Sequence, residues 1–373
     1  MNHRILIGTI CLLSSLTLAG PKSEQKKLIE FGWDEPTTEF MRKNIAEMEK
    51  TPFDGVVFMP ESKQPAGGTS PDAFMWGCWS QRTFTIQELQ PAIDNLKATP
   101  FKKFKYNFLR IDTTPSKAQW DKEDWFGDFS AILANSKLAA RVAKEGGQKG
   151  ILFDIEQYTA PIFAYRQQRD AKTKSYDEYA AQVRLRGKQI MEAFEEGYGD
   201  NLTVFLTFGY CLPWGESQAG KKQLADVGYG MLAPFCDGLV EGIHGKTVLV
   251  DGHEYSYHYR DVAQYDKAYK AMSQDLLAIV KDPEKYKQVM SLGFGVWMDD
   301  NWRTHGWDVQ DVSKNYFTPE VFEQVVRKAL DTSDEYVWIY TEKPRWWSDN
   351  GGPVDLPAAY DAALRRAKQR DAK

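Results

Sequence analysis

Two carboxylates close a short apolar run in the stretch Gly150-Ile151-Leu152-Phe153-Asp154-Ile155-Glu156-Gln157-Tyr158. If the run is a strand, its side chains alternate between two faces, and Asp154 and Glu156 share one. Their β-carbons then stand roughly 6–7 Å apart, close enough for each to influence the other's ionisation. Two acids on one strand face are costly to bury without a task or a partner. Further acids end other apolar runs: Asp34, Glu241, Asp299 with Asp300 beside it, and Glu342. Acids gathered in one cup suit the breaking of a glycosidic bond. One must be protonated to help the leaving oxygen depart, and one group must stabilise the positive sugar centre. Crowding raises carboxyl pKa values and so keeps one acid protonated near neutrality.

Positioning these groups requires a scaffold, and the periodicity supplies one. Eight short apolar runs alternate with eight amphipathic stretches. The strands are expected at 27–34, 54–59, 103–111, 150–156, 202–210, 237–244, 292–299 and 336–342. The helices are expected near 38–50, 85–98, 128–145, 176–196, 220–232, 264–290, 318–330 and 357–368. Thr85 and Glu88 have the spacing of a capping box, and Pro319 follows Thr318 at a helix start. Eight successive βα units imply a parallel sheet closed as a single α/β (β/α)8 TIM barrel over residues 20–373. The connections after the strands are long and carry many of the aromatics. In such a barrel they gather at the C-terminal face, where active sites lie.

Alternation also assigns faces. Ile151, Phe153 and Ile155 should meet the helices, and Asp154 and Glu156 the barrel axis. The same reasoning turns Gly295, Trp297 and Asp299 inward on the seventh strand, and Trp338, Tyr340 and Glu342 on the eighth. On the first strand it turns Glu30, Gly32 and Asp34 inward. On the expected sixth strand, Leu239/Glu241/Ile243 and Val240/Gly242/His244 are equally suitable inner sets.

The expected catalytic set is therefore Glu156, Asp154 and Asp299. Glu156 is the acid/base, and either Asp154 beside it or Asp299 across the barrel is its partner. Retaining chemistry needs carboxyls about 5–5.5 Å apart and inverting chemistry about 6.5–9.5 Å, a gap that spacing in sequence leaves open. The expected substrate-binding set is Asp34, Tyr158, Tyr210, Glu241, His244, Trp297, Asp300, Trp302, Trp338, Tyr340 and Glu342. The chain is rich in rings, with 12 Trp and 18 Tyr, many in polar segments. Flat rings there suit the C–H faces of sugars.

The Asp-x-Glu ending of the fourth strand resembles the end of the Asp-x-x-Asp-x-Asp-x-Glu signature of chitinase-like family 18 glycoside hydrolases. The inward Trp338 resembles that family's pocket floor. Lys149 and Leu152 stand at the signature's two upstream Asp positions, and Val240-Glu241-Gly242 replaces the usual Met-x-Tyr-Asp. The resemblance implies a distant barrel glycoside hydrolase with Glu156 as acid/base and Asp154 as its partner, assisting a substrate acetamido group.

Other features bound the function. Met1–Ala19 has a charged start, an apolar stretch too short for a membrane span and a small-residue exit. That pattern is a secretory signal and predicts export to a bacterial periplasm or the medium. The net charge is −5 with no basic stripe, which argues against nucleic acid. Beyond the leader stand Cys78, Cys211 and Cys236. Their odd number and the lack of a Cys-x-x-Cys pair argue against a disulfide scaffold and against a thiolate zinc site. No metal or cofactor is expected, and the expected partner is a carbohydrate. Two alternatives stand beside the hydrolase: a non-catalytic glycan-binding barrel, and a metal-dependent hydrolase or lyase built on His244, His253 and His258.

Overall fold

The computed structural model describes residues 23–64, 67–70, 73–349 and 352–369. The expected leader at 1–19 lies outside the described residues. Among the described residues no helix is long and apolar enough to cross a membrane.

Eight parallel strand positions form one ring. In order they are Lys27–Gly32, Gly55–Phe58, Phe108–Asp112, Gly150–Asp154, Thr203–Leu206, Val248–Asp251, Met290–Trp297 (interrupted at Gly293) and Tyr336–Thr341. Each pairs with the next, and the first pairs with the eighth over six residues, Lys27 opposite Tyr336 through Gly32 opposite Thr341. At Gly293 the seventh strand changes partner. Met290–Leu292 pairs with the sixth strand and Phe294–Trp297 with the eighth. The ring is thus closed as the (β/α)8 barrel that the alternation predicts.

Helices follow the strands on the outside. Thr85 and Glu88 make the capping box that their spacing predicts, and Thr37 and Thr318 cap the helices after the first and seventh strands. The barrel interior is filled by Ile29, Phe31, Val57, Phe108, Leu152, Phe205, Val250, Tyr336 and Trp338. Gly295 makes room for this filling, because a β-carbon there would come within 2.8 Å of the Trp338 ring.

Three expectations are corrected. The helix expected near 220–232 is not formed; that stretch holds only the short turn Leu224–Asp226. The stretch Asp237–His244 is not the sixth strand; Asp237–Gly242 ends the helix Leu232–Gly242. That helix packs against Tyr176–Tyr198 so closely that a β-carbon on Gly187 would meet the Phe235 carbonyl at 2.3 Å. A helix buried along most of its length reads as an apolar run, as a buried strand does. The true sixth strand is the shorter Val248–Asp251. The first strand also faces the other way. Ile29 and Phe31 point into the barrel, while Leu28 joins the layer under the helices. Glu30 and Asp34 are therefore not inward. The faces expected for the fourth, seventh and eighth strands match those observed, with Leu152, Trp297, Trp338 and Tyr340 on the axis side.

Candidate active site

The C-terminal strand ends surround a cup of about 710 Å³. The first strand sends Phe31, Trp33 and Glu35 to it, and the third sends Arg110. The fourth sends Glu156 and Tyr158. The loop after the sixth strand contributes Glu254, Tyr257 and His258, and the last two strands contribute Trp297, Tyr340 and Glu342. A cleft of about 790 Å³ at the opposite end of the barrel is lined by Lys27, Asp54, Arg327 and Lys368. It is the roomier of the two, but it lies away from the buried acids and the aromatic walls.

Arg110 organises the acids. Its Nη1 donates to Glu35 Oε2 at 3.0 Å, its Nε to Asp112 Oδ1 at 2.9 Å and its Nη2 to Asp154 Oδ2 at 2.8 Å. Its guanidinium also lies over the Phe31 ring, 5.1 Å from the centroid. A planar fork of donors suits this three-way grip. Burial pushes the Glu35 and Asp112 carboxyls up against the pull of this one cation.

Beside this network stands Glu156. The Tyr158 hydroxyl is 2.8 Å from Glu156 Oε1 and 3.0 Å from Asp154 Oδ2. A phenol has one proton, so it donates to one of these carboxyls at a time. When it donates to Asp154, Glu156 must carry its own proton to keep its bond to the phenol oxygen. Burial, and then the charge of Asp154, raise Glu156 to about 7. A carboxyl held there is suited to general acid catalysis near neutrality.

Glu254 is the second free acid of the cup. Its Oε2 is buried without a hydrogen-bond partner. Burial raises its carboxyl well above the ordinary range, and the charges of Glu156 and Asp154 raise it further. Two crowded carboxyls do not both ionise readily, so the pair holds a proton between them.

The walls are aromatic. Trp33 is 56% exposed at the rim. Arg303 lies over the rings of Trp33, Trp297 and Trp302 at 5.5, 5.8 and 5.0 Å. It also pairs with Glu342, which accepts from Trp302 Nε1 at 2.7 Å and from the Tyr340 hydroxyl at 3.2 Å. Tyr257 stacks on Tyr340 at 5.4 Å over the Trp338 floor. His258 Nδ1 lies 2.7 Å from Asp300 Oδ2.

The structure brings together Asp154, Glu156, Tyr158, Trp297, Trp302, Trp338, Tyr340 and Glu342 in and around the cup. Asp300 supports it through His258. Asp299 plays a different part from the expected one. It is buried and accepts from the Glu342 and Lys343 amides and from Trp297 Nε1 at 3.1, 2.7 and 2.9 Å. Its carboxyl, raised to about 6 chiefly by burial, clasps the seventh strand to the eighth.

Four expected residues lie elsewhere. Asp34 sits outside the strand ring, accepting from the Trp346 amide and the Thr341 hydroxyl, because the first strand faces the other way. Tyr210 is buried toward the helices, with its hydroxyl donating to Asp237 at 2.9 Å. Glu241 and His244 lie on and just after an outer helix, where Glu241 pairs with Arg184 and Lys188 and His244 with Glu192. With His244 on the outside, the three histidines do not meet. Glu35, Arg110 and Glu254 were outside the expected set. Arg110 and Glu35 stand at strand ends, the only signal that pointed to them, and Glu254 follows a strand that the apolar pattern misplaced.

No protein-family model matches the chain, and no curated protein matches it. Among solved structures it is similar to a GH5_18 protein from Streptomyces cattleya in complex with GlcNAc, at 12% identity and a TM-score of 0.48, covering 94% of this chain and 82% of that one. It is similar to a psychrophilic glycoside hydrolase family 10 endo-β-1,4-xylanase at 11% identity and a TM-score of 0.47, covering 95% and 100%. It is also similar to a putative chitinase A from Streptomyces coelicolor at 10% identity and a TM-score of 0.33, covering 92% and 98%. The barrel itself rests on the strand pairing of this chain, and the chemistry has to be read from its cup.

Proposed function

We propose that the cup hydrolyses a glycosidic bond, with Glu156 as the proton donor. The observation that carries this reading is a carboxyl raised to about 7, at the end of the fourth strand, facing a second buried acid inside aromatic walls. Glu156 gives its proton to the departing oxygen. Asp154, fixed by Arg110, holds Tyr158 and favours the protonated form of Glu156. Glu254 supplies the second carboxyl, as nucleophile or as base toward water. Asp299, with its oxygens committed to backbone amides, is better suited to holding the strands together. Trp33, Trp297 and Tyr340 offer ring faces to a carbohydrate. The amino-terminal pattern at Met1–Ala19 supports export to a bacterial periplasm or the medium.

A broad glycan screen with product analysis tests the reading. Turnover is expected, and Glu156→Gln should lower it by about 10²–10⁴-fold while sugar binding persists. Binding without turnover would make the barrel a glycan-binding module. Full activity of Glu156→Gln would remove the role given to Glu156.

A further inference from the structure

A polar cluster lies on the helix-facing side of the barrel, outside the proposed chemistry. Val250 points inward, so Asp251, the next residue and the end of the sixth strand, points out under the helices. Cys211 opens the segment after the fifth strand, and His253 begins the loop after the sixth. All three residues are buried, with Asp251 and His253 only 0% and 5% exposed. Cys211 Sγ lies 3.4 Å from Asp251 Oδ1, and the His253 amide donates to the same oxygen at 3.0 Å. One sulfur, one carboxylate oxygen and one imidazole nitrogen lie within 4.8 Å of one another. His253 Nδ1 has no hydrogen-bond partner, and the Asp251 carboxylate also draws on the Gly209 and Cys211 amides. His253 Nε2 is engaged 3.2 Å from the Tyr259 hydroxyl, so Nδ1 is the ring nitrogen left without a partner. A buried polar atom left unpaired is costly, and the imidazole carries one here. A β-carbon on Gly209 would fall 2.3 Å from Asp251 Oδ2, so glycine is what lets the carboxylate pack against the backbone there.

We propose that Cys211, Asp251 and His253 bind a zinc ion. A thiolate, an imidazole and a carboxylate are zinc's ordinary donors, whereas calcium and magnesium call for oxygen alone. Binding displaces the Cys211 proton, which passes to solvent, and the thiolate formed is held by the cation. Three protein donors leave one of zinc's four positions for a solvent molecule. The lack of a Cys-x-x-Cys pair hid this set in the sequence, because its members come from two different strand ends. The ion's role is to anchor the loop whose next residue is Glu254. The site stands independently of the reaction proposed for the cup.

The test uses the full chain expressed in cobalt-supplemented medium, then in zinc-supplemented medium. A stoichiometric cobalt content with a thiolate-to-cobalt charge-transfer band is expected. Cys211→Ser and His253→Gln should lose it, and Cys78→Ser, whose thiol lies toward Asp112, should keep it. Zinc-loaded wild type should melt at a higher temperature than the same protein refolded in chelator. If Cys211→Ser fails to fold, the wild-type spectrum decides alone. Wild-type protein without bound cobalt or zinc, and with a melting temperature indifferent to zinc during refolding, would overturn the proposal.

Discussion

Tyr158 holds its hydroxyl 2.8 Å from Oε1 of Glu156, and the single proton between them makes the state of one depend on the other. Asp154, 3.0 Å from the same hydroxyl, is the alternative acceptor. The three groups form a switch in which the phenol follows the charge. With Glu156 protonated it donates to Asp154, and with Glu156 ionised it donates to Glu156.

The pH dependence of turnover follows. Glu156 acts in its protonated form, so the rate should fall as pH rises through about 7. After burial, the charge of Asp154 is what lifts Glu156. Asp154→Asn keeps an acceptor for Arg110 and Tyr158 but removes that charge. Its alkaline limb should move to lower pH, with activity at pH 8 reduced several-fold more than at pH 5. A pH–rate profile superimposable on that of wild type would show that another group sets the limb.

Arg110 carries a structural burden as large as its electrostatic one. Arg110→Met would leave Glu35, Asp112 and Asp154 buried beside one another without their common cation. Breaking a buried ion pair costs about 3–5 kcal/mol, and denaturant unfolding should show a loss of at least that order. A variant as stable as wild type would mean that solvent, rather than the guanidinium, balances these acids.

Glu30 points to stability instead of catalysis. Its carboxyl is buried against that of Asp34, and burial, then the charge of Asp34 and the hydrogen bond shared with it, raise it well above the ordinary range. The folded state thus holds its proton more tightly than the unfolded chain, so stability declines as pH rises above the unfolded value of about 4.3. Glu30→Gln should be more stable than wild type at pH 7, by about 1–3 kcal/mol, with the difference closing near pH 4. Unfolding midpoints across that range would reveal it, and a difference constant with pH would count against it.

How much of this was legible in the chain depends on how each element is buried. The fourth strand announced itself because Ile151, Leu152 and Phe153 run straight into Asp154, and the seventh and eighth because Trp297, Trp338 and Tyr340 alternate with aliphatic neighbours. The first strand misled because Leu28 and Ile29 are both buried, one on each side. Where both faces are apolar, alternation carries no information about direction. The helix Leu232–Gly242 misled for a related reason, being apolar and buried along most of its length where it packs on Gly187. Glu254 was lost with the strand before it. The grip of Arg110 on Glu35, Asp112 and Asp154 joins three strand ends and has no linear signature.

The six-residue pairing between the first strand and the eighth also sets an order of events during synthesis. Lys27–Gly32 leaves the ribosome early, while Tyr336–Thr341 follows some three hundred residues later. Until then the nascent chain presents one side of its first strand as an open edge, held by only a two-residue register to the second. Unpaired edges invite pairing between chains. The interval before the last strand emerges is therefore when this protein most needs shelter, and slowing translation late in the message should raise the aggregated fraction more than slowing it early.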